Sequence, residues 1–123
     1  MTQDAPGRRI LLVEDEGMIA MLVEDMLEDL GHELVKVANR LEEAVAAARN
    51  ESVDLAILDL KLGCVLTYPA ADVLVERGIP FIFSTGYGST GLKGAYSSHL
   101  ALQKPFDQQA LGQAIKGAVA PNH

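Results

Sequence analysis

The stretch RILLVEDEGMIAMLVEDMLEDLG, residues 9–31, contains the pattern that decides the fold class. An apolar run at residues 9–13 precedes acidic residues and then an amphipathic segment, residues 16–30. Its apolar positions recur every three or four residues, which predicts a buried strand followed by a helix. Gly31 stands where a left-handed residue ends many helices. We expect the inward stripe of this helix to comprise Ile19, Leu22, Val23, Met26, Leu27 and Leu30.

The same alternation of short apolar runs and amphipathic segments continues to the end of the chain. Asn39 with Glu42 forms a predicted capping pair for a second helix, and Pro69 and Gly78 bracket a third. Asp107 is the predicted cap of the last helix. The pattern indicates one α/β domain with a parallel sheet covered by helices on both faces. The predicted strands are residues 9–13, 33–37, 55–58, 81–84 and 100–103.

The connection between the fourth and fifth predicted strands has a different composition. Four glycines and several hydroxyl residues lie between Gly86 and Ser98, and each glycine inside a helix costs about 1 kcal/mol relative to alanine. We predict a weak or irregular fourth helix and a mobile segment there. Tyr87 and Tyr96 either meet a partner as exposed aromatic residues or cover the core.

Length, charge and cysteine content limit the possible functions. The 123 residues fit one domain, predicted over residues 9–120 between a flexible tail at 1–8 and a short tail at 121–123. A net charge of -7 argues against nucleic-acid binding. No apolar run is long enough to cross a membrane. Cys64 is the single cysteine, which rules out an intramolecular disulfide, and we predict a cytoplasmic protein.

Polar side chains gather where the predicted strands end. In open parallel sheets, ligands bind outside the carboxyl ends of the strands. The acidic residues there would repel one another unless a cation intervened, and oxygen ligands without histidine or cysteine favour Mg²⁺. His32 and His99 lie far from any ligand spacing and are expected to be surface or capping residues. The strand-end residues are Glu14, Asp15, Asp59, Ser84, Thr85 and Lys104.

Asp59 stands alone at the end of the central predicted strand, beside the acidic pair. A carboxylate in that position can act as a nucleophile and form an aspartyl phosphate. Phosphoryl transfer then needs the phosphoryl oxygens to be neutralised, for which Lys104 and the Thr85 hydroxyl are available. Gly86, which has no side chain, would leave the approach to Asp59 open.

Four short motifs resemble those of the response-regulator receiver domains of bacterial two-component signalling. They are LLVEDE at residues 11–16, LDL at 58–60, FSTG at 83–86 and KPF at 104–106. PFIFSTGYG, residues 80–88, further resembles a subgroup of single-domain receivers whose motif is nicknamed FAT GUY. The resemblance implies a flavodoxin-like (βα)5 fold, a doubly wound parallel sheet with strand order 2-1-3-4-5.

The resemblance also implies roles for individual residues. Asp59 would be the phosphoacceptor, with Thr85 and Lys104 as its phosphoryl partners. The implied Mg²⁺ site comprises Glu14, Asp15, Asp59 and the carbonyl of Lys61, with Glu14 acting through water. A receiver catalyses only its own phosphorylation and dephosphorylation. Its phosphodonor would be a sensor histidine kinase or a histidine phosphotransfer protein. With no residues left for an output domain, we expect it to signal through a downstream protein or to drain phosphoryl groups from a kinase.

Two departures and three alternatives accompany this interpretation. The segment from Thr85 to Lys104 is shorter and richer in glycine than the usual fourth helix of a receiver would need. Many receivers carry a tyrosine or phenylalanine three residues before the lysine, where this chain has Ala101, so the usual coupled switch is not expected. One alternative is a pseudo-receiver, an interaction module that is not phosphorylated. An aspartate-nucleophile hydrolase would need a second Asp at Gly17. A dinucleotide site at the repeat Gly86, Gly88 and Gly91 would need a following helix that the composition does not favour.

Overall fold

The computed structural model describes residues 7–86 and 91–119 and contains a five-stranded parallel sheet. Its strands are β1 (Arg9–Val13), β2 (Glu33–Ala38), β3 (Leu55–Asp59), β6 (Phe81–Thr85) and β7 (Ala101–Gln103), in the order β2-β1-β3-β6-β7. Four helices accompany the sheet: α1 (Gly17–Asp29), α2 (Leu41–Asn50), α3 (Tyr68–Arg77) and α4 (Gln108–Val119). The five parallel strands, counted along the chain, therefore follow the predicted order 2-1-3-4-5, and the fold class is confirmed.

Helices cover both faces of the sheet. Alternate residues of β3 face opposite layers, with Leu55 and Ile57 in one apolar cluster and Ala56 and Leu58 in the other. The first cluster includes buried residues of α1 and α4, and the second includes those of α2 and α3. Because β3 is buried on both sides, its residues form a continuous apolar run up to Asp59.

The helix ends largely agree with the sequence. Gly31 and Gly78 have φ values of 88° and 71°, the left-handed conformation expected past a helix end. Asp107 Oδ1 accepts the Ala110 N–H at 2.8 Å, as its capping prediction requires. The predicted pair of Asn39 and Glu42 is wrong. α2 begins after Arg40, and the Asn39 N–H donates to Glu43 Oε1 at 3.1 Å.

The predicted inward stripe of α1 is correct at its centre and wrong at one edge. Val23 and Leu27 are buried, but the Leu22 side chain is 57% exposed. Because α1 packs on the sheet along a narrow line, the residue preceding Val23 turns toward solvent. Met18 and Met21 are exposed on the same side of the helix.

The described part of the connection between β6 and β7 contains the 3₁₀ turn Gly94–Tyr96 and no α-helix. The expectation of an irregular fourth helix is therefore confirmed. Tyr87 lies outside the described residues. Tyr96 covers the core, because its ring packs 5.5 Å from Phe83 and its hydroxyl donates to Asp72 Oδ1 at 2.7 Å. Burial and the Asp72 carboxylate raise the pKa of Tyr96 to about 12.

The two histidines in the described part of the chain, His32 and His99, occupy different environments. His32 Nδ1 accepts the Arg8 N–H at 3.0 Å beside the start of β2, and burial followed by the Arg8 charge lowers its pKa. His99 is not the surface or capping residue expected. Its ring stacks on Phe81 with centroids 4.2 Å apart, and its Nε2 lies 2.9 Å from the Phe81 carbonyl oxygen. The aromatic neighbours from β6 and the 3₁₀ turn draw it inward.

A hairpin that the sequence analysis did not anticipate follows β3. It pairs β4 (Lys61–Leu62) with β5 (Val65–Leu66) in antiparallel fashion, and Gly63 in its turn has a φ of 64°. Two-residue strands leave too short a pattern to detect in the sequence. Across the ranges 7–86 and 91–119, no helix has both the length and the apolar character needed to cross a membrane.

Candidate functional site

Three carboxylates converge at the carboxyl edge of the sheet. Glu14 and Asp15 follow β1, Asp59 is the last residue of β3, and oxygen atoms of all three lie within 4.8 Å of one another. Glu14 and Asp59 are buried, whereas Asp15 is exposed. β1 and β3 are adjacent and parallel with Val13 opposite Leu58, so the next residues along each strand meet at this edge.

Lys104 reaches the carboxylates from β7, the edge strand on the opposite flank of β3 from β1. Its Nζ lies 3.1 Å from Glu14 Oε1 and 3.2 Å from Asp59 Oδ2. Lys104 follows β7, and β6 separates β7 from β3, so the side chain crosses β6 to reach both acids. Its backbone N–H donates to the Thr85 carbonyl at 2.9 Å, and a cis peptide bond joins it to Pro105.

The buried charges change one another's protonation. Burial and the neighbouring Glu14 raise the pKa of Asp59 to about 6, against the smaller opposing effect of Lys104. Burial disfavours the Lys104 ammonium, but Asp59 and Glu14 outweigh it and raise the pKa of Lys104. The site therefore holds Lys104 charged and makes Asp59 harder to ionise than an exposed aspartate.

Backbone and hydroxyl groups orient the acidic residues. Glu14 Oε2 accepts the Glu16 N–H at 3.2 Å, and Asp15 Oδ2 accepts the Gly63 N–H of the hairpin turn at 3.0 Å. Thr67 Oγ1, which is buried, donates to the Asp59 carbonyl at 2.8 Å. The sequence analysis missed these contacts from Gly63 and Thr67, because only folding brings the hairpin back beside β3.

The remaining predicted residues lie around Asp59. Thr85 is buried at the end of β6, next to β3 in the sheet. Lys61 begins β4 two residues after Asp59, with an exposed side chain. Gly86 is exposed, and a Cβ placed on it would meet no atom within 4 Å, so the space beside it is open. Ser84, which the sequence placed at this edge without a role, is 3% exposed.

The donor set fits a divalent cation that prefers oxygen. Glu14, Asp15 and Asp59 carry three negative charges when ionised, and Lys104 returns one positive charge. The group contains neither histidine nor cysteine, which suits Mg²⁺ with water completing its coordination rather than zinc. Together, these three acids could hold the cation.

Comparison with solved structures shows close likenesses. SdrG from Sphingomonas melonis Fr1, in solution, is 34% identical with a TM-score of 0.82, and the match covers 94% of this chain and 99% of SdrG. The receiver domain of the PhyR response regulator from Erythrobacter litoralis is 26% identical with a TM-score of 0.80, covering 96% of this chain and 97% of that domain.

Curated proteins match over part of their length. The transcriptional regulatory protein PdtaR of Mycobacterium tuberculosis is 33% identical over 120 residues, which cover 94% of this chain and 58% of PdtaR. The phyllosphere-induced regulator PhyR of Methylorubrum extorquens is 33% identical over 114 residues, 89% of this chain and 43% of PhyR. This chain thus spans about half the length of the curated relatives it matches.

The family described as the response regulator receiver domain matches residues 10–116. That range includes every strand of the parallel sheet except the first residue of β1, and it includes all four residues whose charges meet at the carboxyl edge. The chain therefore belongs to the response regulator receiver domain family.

Proposed function

We propose that this chain is a phospho-accepting response regulator that takes a phosphoryl group on Asp59 and signals through protein contacts. One observation carries the proposal. The Asp59 carboxylate, buried at the end of the central strand, lies within 4.8 Å of two other carboxylates and 3.2 Å from the Lys104 ammonium. A nucleophile, a cation site and a fixed positive charge are the parts that phosphoryl transfer needs.

The chemistry at Asp59 is a displacement at phosphorus. An Asp59 carboxylate oxygen forms the new bond to phosphorus, while the donor's bond breaks and its electron pair leaves with the donor. Glu14, Asp15, Asp59 and the Lys61 carbonyl would hold Mg²⁺, which when bound supplies positive charge to the phosphoryl oxygens. Lys104 and the Thr85 hydroxyl take the remaining negative charge, and Lys104 exchanges its contact with the Asp59 carboxylate for a phosphoryl oxygen.

The partners follow from the family. A sensor histidine kinase or a histidine phosphotransfer protein would supply the phosphoryl group in the cytoplasm, and a downstream signalling protein would respond to it. The motif PFIFSTGYG supports placement in the FAT GUY subgroup. A solved relative from Bartonella quintana, 29% identical, is described as the anti-anti-sigma factor PhyR, which supports a protein rather than DNA as the downstream target.

A pseudo-receiver remains the second candidate, and the ion pairs of Lys104 favour it. Glu14 and Asp59 already share one positive partner, Lys104, without any metal, so part of the buried negative charge is offset in an unmodified protein. Such a protein would bind partners in one fixed state. Phosphorylation with a small donor separates the two candidates.

The test is incubation with acetyl phosphate and Mg²⁺, followed by intact mass spectrometry. We expect one phosphoryl adduct that is stable in acid and labile in base, and none when EDTA removes the metal. Asp59→Asn should lose the adduct. Asp25→Asn removes the same charge from an exposed position on α1 and should keep it. No adduct on the wild-type protein, or an adduct that persists in Asp59→Asn, would overturn the proposal.

A further inference from the structure

Ser84 has a buried hydroxyl for which residues 7–86 and 91–119 provide no hydrogen-bond partner. Among the described residues, Ser84 Oγ is the one buried side-chain oxygen or nitrogen atom that makes no hydrogen bond. The residue is 3% exposed. Buried hydroxyls are normally paired, because an unpaired one loses its bonds to water and gains nothing in return. An unpaired hydroxyl beside a reactive group is therefore a candidate for a bond made in another state of the site.

Strand register places Ser84 directly beside Asp59. The two residues are partners in the parallel pairing of β3 and β6, and neighbouring strands lie about 4.8 Å apart. Side chains alternate between the faces of a strand, so Ser84 shares a face with Ile82 and Asp59 shares a face with Ile57. Ile82 and Ile57 belong to the same apolar cluster. Ser84 and Asp59 thus lie side by side on the face that α1 and α4 cover.

In the structure, the Asp59 carboxylate is engaged by Lys104. Asp59 Oδ2 lies 3.2 Å from Lys104 Nζ, which also contacts Glu14 Oε1 on β1. β1 and β6 flank β3 on opposite sides. Lys104 therefore holds one Asp59 oxygen in an ion pair shared with Glu14, and Ser84 Oγ makes no hydrogen bond to the carboxylate in this arrangement. Binding of a cation by Glu14 and Asp15, or transfer of Lys104 to a phosphoryl oxygen, would free the carboxylate from this ion pair.

We propose that Ser84 is a positioning residue for Asp59: its hydroxyl donates a hydrogen bond to one carboxylate oxygen and so directs the other oxygen toward the phosphodonor. The inference rests on the proposed phosphorylation of Asp59. A carboxylate oxygen has two lone pairs, so the oxygen that accepts the bond from Ser84 can also coordinate the metal while the other oxygen attacks.

Two substitutions at Ser84 separate the hydroxyl from side-chain size. Ser84→Ala removes the hydroxyl, and Ser84→Thr keeps it while adding a methyl group. With acetyl phosphate and Mg²⁺, we expect Ser84→Ala to form the adduct about fivefold more slowly, the effect of one hydrogen bond, and Ser84→Thr to stay within about twofold of wild type. A role in packing alone predicts the reverse order, because only threonine changes the packing of the buried site.

The hydrogen bond also has a signature that does not depend on phosphoryl transfer. The ¹³C resonance of the Asp59 carboxyl, assigned by its loss in Asp59→Asn, is measured with Mg²⁺ and no phosphodonor. We expect it to shift in Ser84→Ala and to stay near its wild-type position in Ser84→Thr. An unchanged resonance in Ser84→Ala would overturn the proposal, whether or not an adduct forms. A shifted resonance in a protein that forms no adduct would support the hydrogen bond and refute the proposed phosphorylation.

Discussion

Two regions beside β6 are held in place by different forces. The acidic edge, which we define as Glu14, Asp15, Asp59 and Lys104, consists of charges from three strand ends, with Lys104 Nζ 3.1 and 3.2 Å from two carboxylates. The aromatic segment, residues 91–99, is held by ring packing on β6 and α3. It also has two hydrogen bonds to α3 residues, from Tyr96 to Asp72 and from the Lys93 N–H to the Tyr68 hydroxyl.

The difference shows what strand register can and cannot specify. At the acidic edge, each functional residue comes directly after a strand or at its end, so the parallel pairing alone brings the side chains together. No strand pairing positions the aromatic segment in this way. Its position depends on rings distant in the sequence, Tyr68 on α3 and Phe81 and Phe83 on β6, which meet Tyr96 only after the domain folds.

Removing the positive charge of the acidic edge should have the largest effect. Lys104→Met leaves the buried Glu14 and Asp59 carboxylates without their cation in metal-free buffer. We expect the free energy of unfolding at pH 7.5 to fall by about 2–3 kcal/mol, somewhat less than for a fully buried pair because the Lys104 side chain is 23% exposed. Urea unfolding in the presence of EDTA measures the loss.

The matched control for Lys104 lies in the aromatic segment. Lys93 is exposed, and its backbone N–H, which a substitution retains, makes its contact with Tyr68. Lys93→Met should therefore change the free energy of unfolding by less than about 0.5 kcal/mol. If Lys104→Met and Lys93→Met lowered the free energy of unfolding equally, the ion pairs of Lys104 would make no specific contribution to stability.

Truncating Tyr96 should release the aromatic segment with a smaller loss of global stability. Tyr96→Ala removes a partly buried ring and its hydrogen bond, and we expect a loss of about 2 kcal/mol. Tyr96→Phe keeps the ring and should lose about 1 kcal/mol. Hydrogen exchange of residues 92–99 should accelerate in Tyr96→Ala. If these amides exchange rapidly in the wild-type protein as well, ring packing does not hold the segment, and the predicted mobility is correct.

The pH dependence of stability provides the most gradual comparison, because its effect spreads over about two pH units. The pKa of Asp59 is raised from 3.8 to about 6 in the folded protein. Between those values the folded state keeps a proton that the unfolded state has lost, so this group's contribution to stability falls as pH rises from about 4 to 6. Above pH 6 the contribution is gone.

Asp59→Asn isolates that contribution, since asparagine does not titrate. The free energy of unfolding of wild type minus that of Asp59→Asn should decrease from pH 4 to pH 6 and then level off. Urea unfolding at half-unit pH intervals in metal-free buffer measures the difference. Parallel curves for the two proteins would mean that burial and Glu14 do not raise the pKa of Asp59.

The sequence predicted most where local pattern and register act together. The left-handed glycines 31 and 78, the Asp107 cap and the residues of the acidic edge all follow from patterns a few residues long, whereas the strand order followed from the resemblance to the receiver family. The sequence-based predictions failed where a contact with a residue distant in the sequence sets the position of a side chain. Leu22 turned outward because of how α1 lies on the sheet, and His99 turned inward because Phe81 stacks on it.

The sequence by itself determined the α/β alternation and the set of chemical groups at the carboxyl edge, because apolar periodicity selects each element and parallel strands carry their end residues to one edge. Only the tertiary structure decided how those groups meet. Lys104 crosses β6 to bridge Glu14 and Asp59, the hairpin turn holds Asp15 through Gly63, and Ser84 is buried without a partner in the described structure. Distances and burial depend on packing between distant segments, so no local pattern contains them.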